Sequence, residues 1–321
     1  MNQPLVSVVL PTYNRAYTIS RAIDSVLNQT YSNLELIVVD DGSNDDTRVV
    51  VESIHDKRIK YIKNSKSMGA AFARNLGIKH SRGDLIAFQD SDDEWLPVKL
   101  LIQVNALLES DQNVALVYSP MIRVYEETKE ECLFSSPVFC PETQDFYRKA
   151  LALGVRGIGI QSCLIRKSAL LHVGGFDENL PKWIDLELFI RLAREYKFKY
   201  IDKPLVKYYF SKFSISTNVT AQINASKYIM GKYKNDIGGD PKILAPHLRV
   251  LANAYIKNKE FYKGRECLKK LISIGESTLK DKIKLLISLF GKDAYYFIES
   301  VYHKVKFKQL KNISVNSQER I

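Results

Sequence analysis

The stretch Gly83-Asp84-Leu85-Ile86-Ala87-Phe88-Gln89-Asp90-Ser91-Asp92-Asp93-Glu94-Trp95-Leu96-Pro97 decides how this chain is read. Gly83-Asp84 makes a turn, and Leu85 to Gln89 is a short, largely apolar run of the kind buried in a parallel sheet. The run stops at three carboxylates within four residues, Asp90, Asp92 and Asp93. In open α/β sheets ligands sit beyond the carboxyl ends of the strands, so these acids fall where a site is expected. Clustered carboxylates repel one another and cost desolvation unless something positive neutralises them. A hard divalent cation, Mg²⁺ or Mn²⁺, carried in with substrate phosphates would do so, because such ions take oxygen ligands. The plainer alternative is an acidic turn capping a helix over residues 95–109, with Asp92 or Asp93 at its N-cap.

The chain before this stretch repeats its pattern. Residues 5–10 form a β-branched run ended by Pro11-Thr12-Tyr13-Asn14. Thr18 can cap a helix over 19–29, whose Ile19, Ala22, Ile23, Val26 and Leu27 share one face. A second strand over 34–39 is again stopped by acids, Asp40-Asp41-Gly42-Ser43. A helix through 49–54, a strand over 59–62, a loop with Gly69 and a helix over 70–79 lead to the acid-ended strand. This alternation predicts an α/β fold, a parallel sheet covered by helices on both faces. Two strands then deliver carboxylates to one edge, which a capping role alone does not require. Neither G-x-G-x-x-G nor G-x-x-x-x-G-K-[ST] occurs, so the sequence supports neither a dinucleotide site nor a P-loop.

Composition bounds the remaining classes. At 321 residues, 45% hydrophobic and 26% charged, the chain is long enough for a full core and two domains. It has no apolar run long enough to span a bilayer, and it enters a strand directly from its first residues. Cys132, Cys140, Cys163 and Cys267 have no paired spacing, which fits reduced thiols in a cytoplasm. His55, His80, His172, His247 and His303 make no H-x-x-x-H pair, so zinc hydrolysis has no support. The net charge of +11 is uneven: residues 1–219 balance at 27 Lys+Arg and 27 Asp+Glu, while 220–321 hold 20 against 9. Such asymmetry marks either a second domain facing something anionic or a solvated lysine-rich helical face.

Further motifs occur in order: Ser7-Val8-Val9-Leu10-Pro11-Thr12-Tyr13-Asn14-Arg15, Ser25-Val26-Leu27-Asn28-Gln29-Thr30-Tyr31, Glu35-Leu36-Ile37-Val38-Val39-Asp40-Asp41-Gly42-Ser43 and Ala73-Arg74-Asn75-x-Gly77. The Asp90-Ser91-Asp92-Asp93 stretch follows, then Gly174-Gly175-Phe176-Asp177-Glu178 and Asp185-x-Glu187-Leu188-x-x-Arg191. Together they resemble the family 2 glycosyltransferases, whose nucleotide-sugar domain has the GT-A fold, a Rossmann-like sheet. The resemblance covers roughly residues 5–215.

The resemblance implies a nucleoside-diphosphate-sugar donor, commonly a uridine nucleotide, and a carbohydrate-bearing acceptor. Pro11, Thr12 and Tyr13 would line the base, and Asp41 would accept hydrogen bonds from base or ribose, while Asp40 supports the turn. Asp90 would face the ribose and Asp92 would bind Mn²⁺ or Mg²⁺, with Asp93 a further candidate. Arg74 would reach the nucleotide or make an ordinary ion pair. The acid of the second block, Asp185, would be the base of an inverting transfer. Glu187 is its reserve, although two residues on a helix point about 200° apart and cannot share one role. Asp185 also fits as the N-cap of the following helix. Arg191 would neutralise the diphosphate or a neighbouring acid. Trp183 would stack on an acceptor sugar or pack in the core. Some members supply a metal-ligating histidine after this helix, but residues 206–216 contain none; Lys207 or Lys212 there would contact the diphosphate. The alternative in another class is a catalytically dead domain of the same fold serving as a glycan binder or scaffold.

The expected domains are 1–219, catalytic, and 220–321, basic and helical. Helical patterns cover 223–234, 247–258, 261–274, 279–289 and 295–305, the second and third resembling one tetratricopeptide hairpin. The expected role is self-association into a homo-oligomer, with peripheral membrane contact of residues 283–290 as the alternative. No motif supports nucleic-acid binding.

Overall fold

The computed structural model describes residues 3–134, 146–155, 157–210 and 218–289. The chain divides into two compact units, Met1–Asn218 and Val219–Ile321.

The first unit opens with β1 (Val6–Thr12), α1 (Ile19–Leu27), β2 (Leu34–Asp40), α2 (Thr47–Glu52), β3 (Ile59–Lys63), α3 (Ala70–His80) and β4 (Leu85–Phe88). Every residue of β2 and β4 is buried, as strands covered on both faces must be. The buried residues of α1, Ile19, Ala22, Ile23 and Val26, follow the helical repeat and join the same core. There follow β5 (Glu94–Trp95), α4 (Lys99–Leu108), β6 (Val114–Tyr118), β7 (Met121–Tyr125), β8 (Glu131–Phe134), α5 (Phe146–Leu151) and a 3₁₀ turn (Ile160–Ser162). The unit closes with β9 (Cys163–Arg166), α6 (Lys167–His172), α7 (Ile184–Glu195), β10 (Lys197–Tyr200) and β11 (Val206–Phe210).

The main sheet has the order β10-β6-β9-β4-β1-β2-β3. β4, β1 and β2 are adjacent and parallel, so their carboxyl ends reach one edge together. The all-parallel expectation is corrected at β9, which runs antiparallel to both β4 and β6. β9 is entered from the 3₁₀ turn at the acid-bearing edge, and a strand that starts there must run away from it. A smaller sheet, β5-β11-β7-β8, stands beside the site. The helix expected over 95–109 is also corrected. Glu94 and Trp95 are drawn into pairing with β11, and the helix starts only at Lys99. Thr18 precedes α1 but makes no side-chain cap.

In the second unit the described residues are helical: α8 (Val219–Lys232), α9 (Lys234–Gly238), α10 (Pro241–Lys257), α11 (Phe261–Ser273) and α12 (Leu279–Leu289). Leu248, Ala252 and Ile256 of α10 pack with Leu268 and Leu271 of α11 in one small core. The helix expected over 295–305 lies outside the described residues, as do Cys140 and Lys212.

Candidate active site

The loops after β1 and β2 interlock. Asp41 N–H donates to the Thr12 carbonyl at 2.8 Å, Asn14 N–H to Ser43 Oγ at 2.9 Å, and Arg15 N–H to Thr47 Oγ1 at 2.9 Å. Asp40 is wholly buried and accepts from Ser43 N–H and the Tyr61 hydroxyl, so it holds the turn. Asp41 accepts from Asn64 Nδ2, Ser67 Oγ and the N–H groups of Met68 and Gly69 at 2.7–3.0 Å, folding the β3–α3 loop around its carboxylate. Pro11 is half-buried, Tyr13 is exposed, and the buried Thr12 Oγ1 has no hydrogen-bond partner.

The acid loop after β4 distributes its carboxylates differently. Asp90 takes Arg74 of α3 at 2.7 Å. Asp92 has Arg15 at 3.6 Å, and its carbonyl accepts from Arg21. Asp93 is buried, and both its oxygens are taken, by Gln161 Nε2 at 2.9 Å and by Tyr209 N–H at 3.0 Å. Burial first, then the charges of Asp90 and Asp92, lift the Asp93 pKa well above the carboxylate range. Asp92 is raised by burial and then by Asp90, with Arg15 opposing. Burial and repulsion among the acids thus work against full ionisation of the loop, despite the arginines beside it.

Asp185 stands in the first turn of α7, behind Trp183, which is the N-cap residue and holds a left-handed φ of 63°. Its Oδ2 accepts from Ile160 N–H at 3.3 Å, and its Oδ1 lies 3.8 Å from Arg74 yet accepts no hydrogen bond. Burial raises its pKa, Arg74 opposes the rise, and Asp90 adds to it. Glu187 turns the other way. It is wholly buried, and Arg191 binds it at 2.6 Å while also donating to the carbonyls of Val173 and Gly175. Lys207 pairs with Glu131 at 2.9 Å.

The Ala73-Arg74-Asn75-x-Gly77 motif joins these parts. Asn75 donates to the Phe176 carbonyl and to Glu178 and accepts from Phe176 N–H, which clasps the Gly174-Gly175 loop. A Cβ at Gly77 would stand 2.2 Å from Val9 Cγ1, so α3 can lie this close to β1 only without a side chain there. Arg74 is thereby set between two acids from distant parts of the chain.

Three residues here have no counterpart among the sequence candidates. Arg15 is written inside the first motif and was the most readable of them. Arg21 lies on the polar side of α1 with its guanidinium 3.6 Å from the Tyr209 ring centroid, and Gln161 reaches Asp93 across 68 positions of sequence. Neither has a local signal, because each acts through a tertiary contact.

A divalent cation fits this loop by donor chemistry. Asp90 and Asp92 offer hard oxygen ligands whose repulsion a cation relieves. Among the described residues no group of three or more His, Cys, Asp or Glu is arranged to hold a metal. Two carboxylates would therefore leave the other coordination positions to phosphate and water.

Comparison with known proteins accords with the geometry. Residues 7–171 match the family described as Glycosyl transferase family 2. The chain is 33% identical over 235 residues to WfgD of Escherichia coli, a UDP-Glc:alpha-D-GlcNAc-diphosphoundecaprenol beta-1,3-glucosyltransferase, spanning 73% of this chain and 88% of that one. Its fold resembles S. aureus TarS in complex with UDP-GlcNAc, with a TM-score of 0.65, 18% identity, and coverage of 93% of this chain and 91% of the other. It also resembles the mannosyltransferase PcManGT of Pyrobaculum calidifontis in complex with GDP-Man and Mn²⁺, with a TM-score of 0.54, 20% identity, and coverage of 92% and 83%. From strand-end acids to matched residues, the chain belongs to glycosyl transferase family 2.

Proposed function

We propose that this glycosyltransferase moves a sugar from a uridine-diphosphate sugar to a hydroxyl of a lipid-linked saccharide, with inversion at the anomeric carbon and Asp185 as base. The observation that carries the reading is Asp185 Oδ1, a carboxylate oxygen beside Arg74 that accepts no hydrogen bond. An acceptor hydroxyl would complete it. As the hydroxyl oxygen bonds to the anomeric carbon, its proton passes to Asp185 and the bond from that carbon to the diphosphate oxygen breaks. UDP leaves with the electron pair. A positioned base of this kind typically contributes about 10²–10⁴-fold, and the raised proton affinity of Asp185 favours the transfer.

The loops after β1 and β2 suit the nucleoside. Thr12 offers a free buried hydroxyl, Tyr13 an open ring, and Asp41 keeps the 64–69 loop in place. Asp90 would face the ribose, with Arg74 holding it toward Asp185. A divalent cation held by Asp92 and Asp90 would offset charge on the departing diphosphate. Arg15 would guard the same end of the loop. Trp183 would offer the acceptor sugar its ring. The uridine donor and lipid-linked acceptor are supported by what WfgD is named for and by the UDP-GlcNAc complex of TarS; the cation by the Mn²⁺ of PcManGT.

Release of UDP from UDP-glucose and UDP-N-acetylglucosamine, with Mn²⁺ and a diphosphate-lipid saccharide, tests the reading. Turnover is expected for the wild type, with loss in Asp185→Asn and Asp92→Ala and a β-linked product. Donor binding without turnover in any protein would instead identify a glycan-binding or scaffold domain.

A further inference from the structure

The last described helix, α12, is built inside out. Its two fully buried positions are polar: Asp281 is 5% exposed and Ser288 0%. Asp281 closes a capping box with Thr278 and binds Arg249 at 2.8 Å, while the Ser288 carbonyl accepts from Arg265. Leu285 and Ile287 pack partly against the core of α10 and α11. The remaining apolar residues face outward, with Leu279 73%, Ile283 45%, Leu286 57% and Leu289 61% exposed. Leu279, Ile283 and Leu286 follow the i, i+4, i+7 spacing of a single stripe. Lys280 and Lys282 are exposed on either side of it, and the helix's one acid, Asp281, is turned inward and neutralised.

We propose that this stripe is a docking surface for an anionic lipid bilayer, with the leucines and Ile283 entering the interface and Lys280 and Lys282 meeting acidic headgroups. An amphipathic helix with lysines bordering its apolar face lies in the plane of such an interface. Charge selects the occupant. Residues 220–321 hold 20 Lys+Arg against 9 Asp+Glu, so a second copy would bring like charge against like charge. The chain's own residues 290–321 carry 6 against 3 and are disfavoured on the same ground. The inference rests on α12 alone and stands whichever donor or acceptor the first unit uses.

Co-sedimentation of the full chain tests it, with phosphatidylcholine vesicles and with phosphatidylcholine vesicles containing phosphatidylglycerol, in the absence of donor and acceptor. The wild type is expected to pellet with the anionic vesicles and at least tenfold less with the neutral ones, since each lysine near the surface counts. Ile283→Glu/Leu286→Glu and Lys280→Glu/Lys282→Glu should each weaken binding tenfold or more, with the melting temperature little changed because the altered positions are exposed. Leu279→Gln, at the helix start, serves if a double variant does not fold. Wild-type protein left in the supernatant of anionic vesicles overturns the proposal, as does undiminished binding by the apolar variants. So does a dimer, seen by light scattering, that those variants dissociate while vesicle binding is unchanged, which would give the stripe to a second copy.

Discussion

Arg74 and Asp185 meet at 3.8 Å although one lies on α3 and the other on α7, and the same guanidinium holds Asp90 at 2.7 Å. The arginine is buried, and it keeps two acids of different loops at a fixed separation. Arg74→Met should lower kcat/KM by about 10²-fold or more, and removing one partner of a buried pair costs up to about 3–5 kcal/mol of stability. Because both acids are partly open to solvent, the lower end is expected. Arg74→Lys should recover stability better than activity, since an ammonium cannot span both acids as a planar fork does. Melting curves and initial rates measured together check this.

Asp185→Asn and Glu187→Gln should separate cleanly. The first is expected to lower kcat by about 10²–10⁴-fold with a nearly unchanged donor KM and melting temperature. The second breaks the Glu187–Arg191 pair that also ties down the Val173 and Gly175 carbonyls, and should cost stability by roughly 3 kcal/mol before it affects the chemical step. Equal kinetic losses in both variants would remove Asp185 from its assigned role.

Asp41→Asn should loosen the 64–69 loop. An amide accepts on one oxygen only, and its NH₂ would face N–H donors from Met68 and Gly69. A loss of about 1–2 kcal/mol follows, because N–H donors of an exposed loop lose a charged acceptor but can turn to water. Donor KM is expected to rise more than kcat falls, measurable by steady-state titration of the sugar nucleotide.

Lys99 gives the fold a pH dependence. It is wholly buried, donates to Gln103 Oε1 at 2.7 Å and lies 3.9 Å from the Trp95 ring centroid, and burial pushes its pKa down to about 7. In the unfolded chain a lysine titrates near about 10.4. Between these values the unfolded chain holds a proton that the folded chain lacks. Stability therefore rises with pH across that window, by up to about 1.4 kcal/mol per unit, and the contribution is lost below the folded value. Denaturant titrations of wild type and Lys99→Met should show a stability difference that moves in favour of the wild type as pH rises from about 7 to 9. Burial pushes the Cys163 thiol up to about 12, but that thiol is common to both proteins and cancels in the difference.

Much of this architecture is legible in the sequence because it is local. Apolar runs that end in Asp40-Asp41 and in Asp90 report strands that stop at one edge, and the periodicity of α1 reports its buried face. What escapes is set by closure of the fold. The direction of β9 depends on where the chain re-enters the sheet. Trp95 reads as the start of a helix until β11 offers it a strand partner. Asp93 looks equivalent to Asp92 in sequence, yet its oxygens are filled by Gln161 and Tyr209, which nothing near Asp93 announces.

The gap left at Gly77 reaches further than its own turn of helix. Val9 already occupies the space a side chain there would need. Volume at the two positions is therefore shared, and a lineage that gained even alanine at one would have to shrink the other. Since α3 bears Arg74 and β1 leads into Thr12, a change of volume at either position would be felt at both ends of the candidate site.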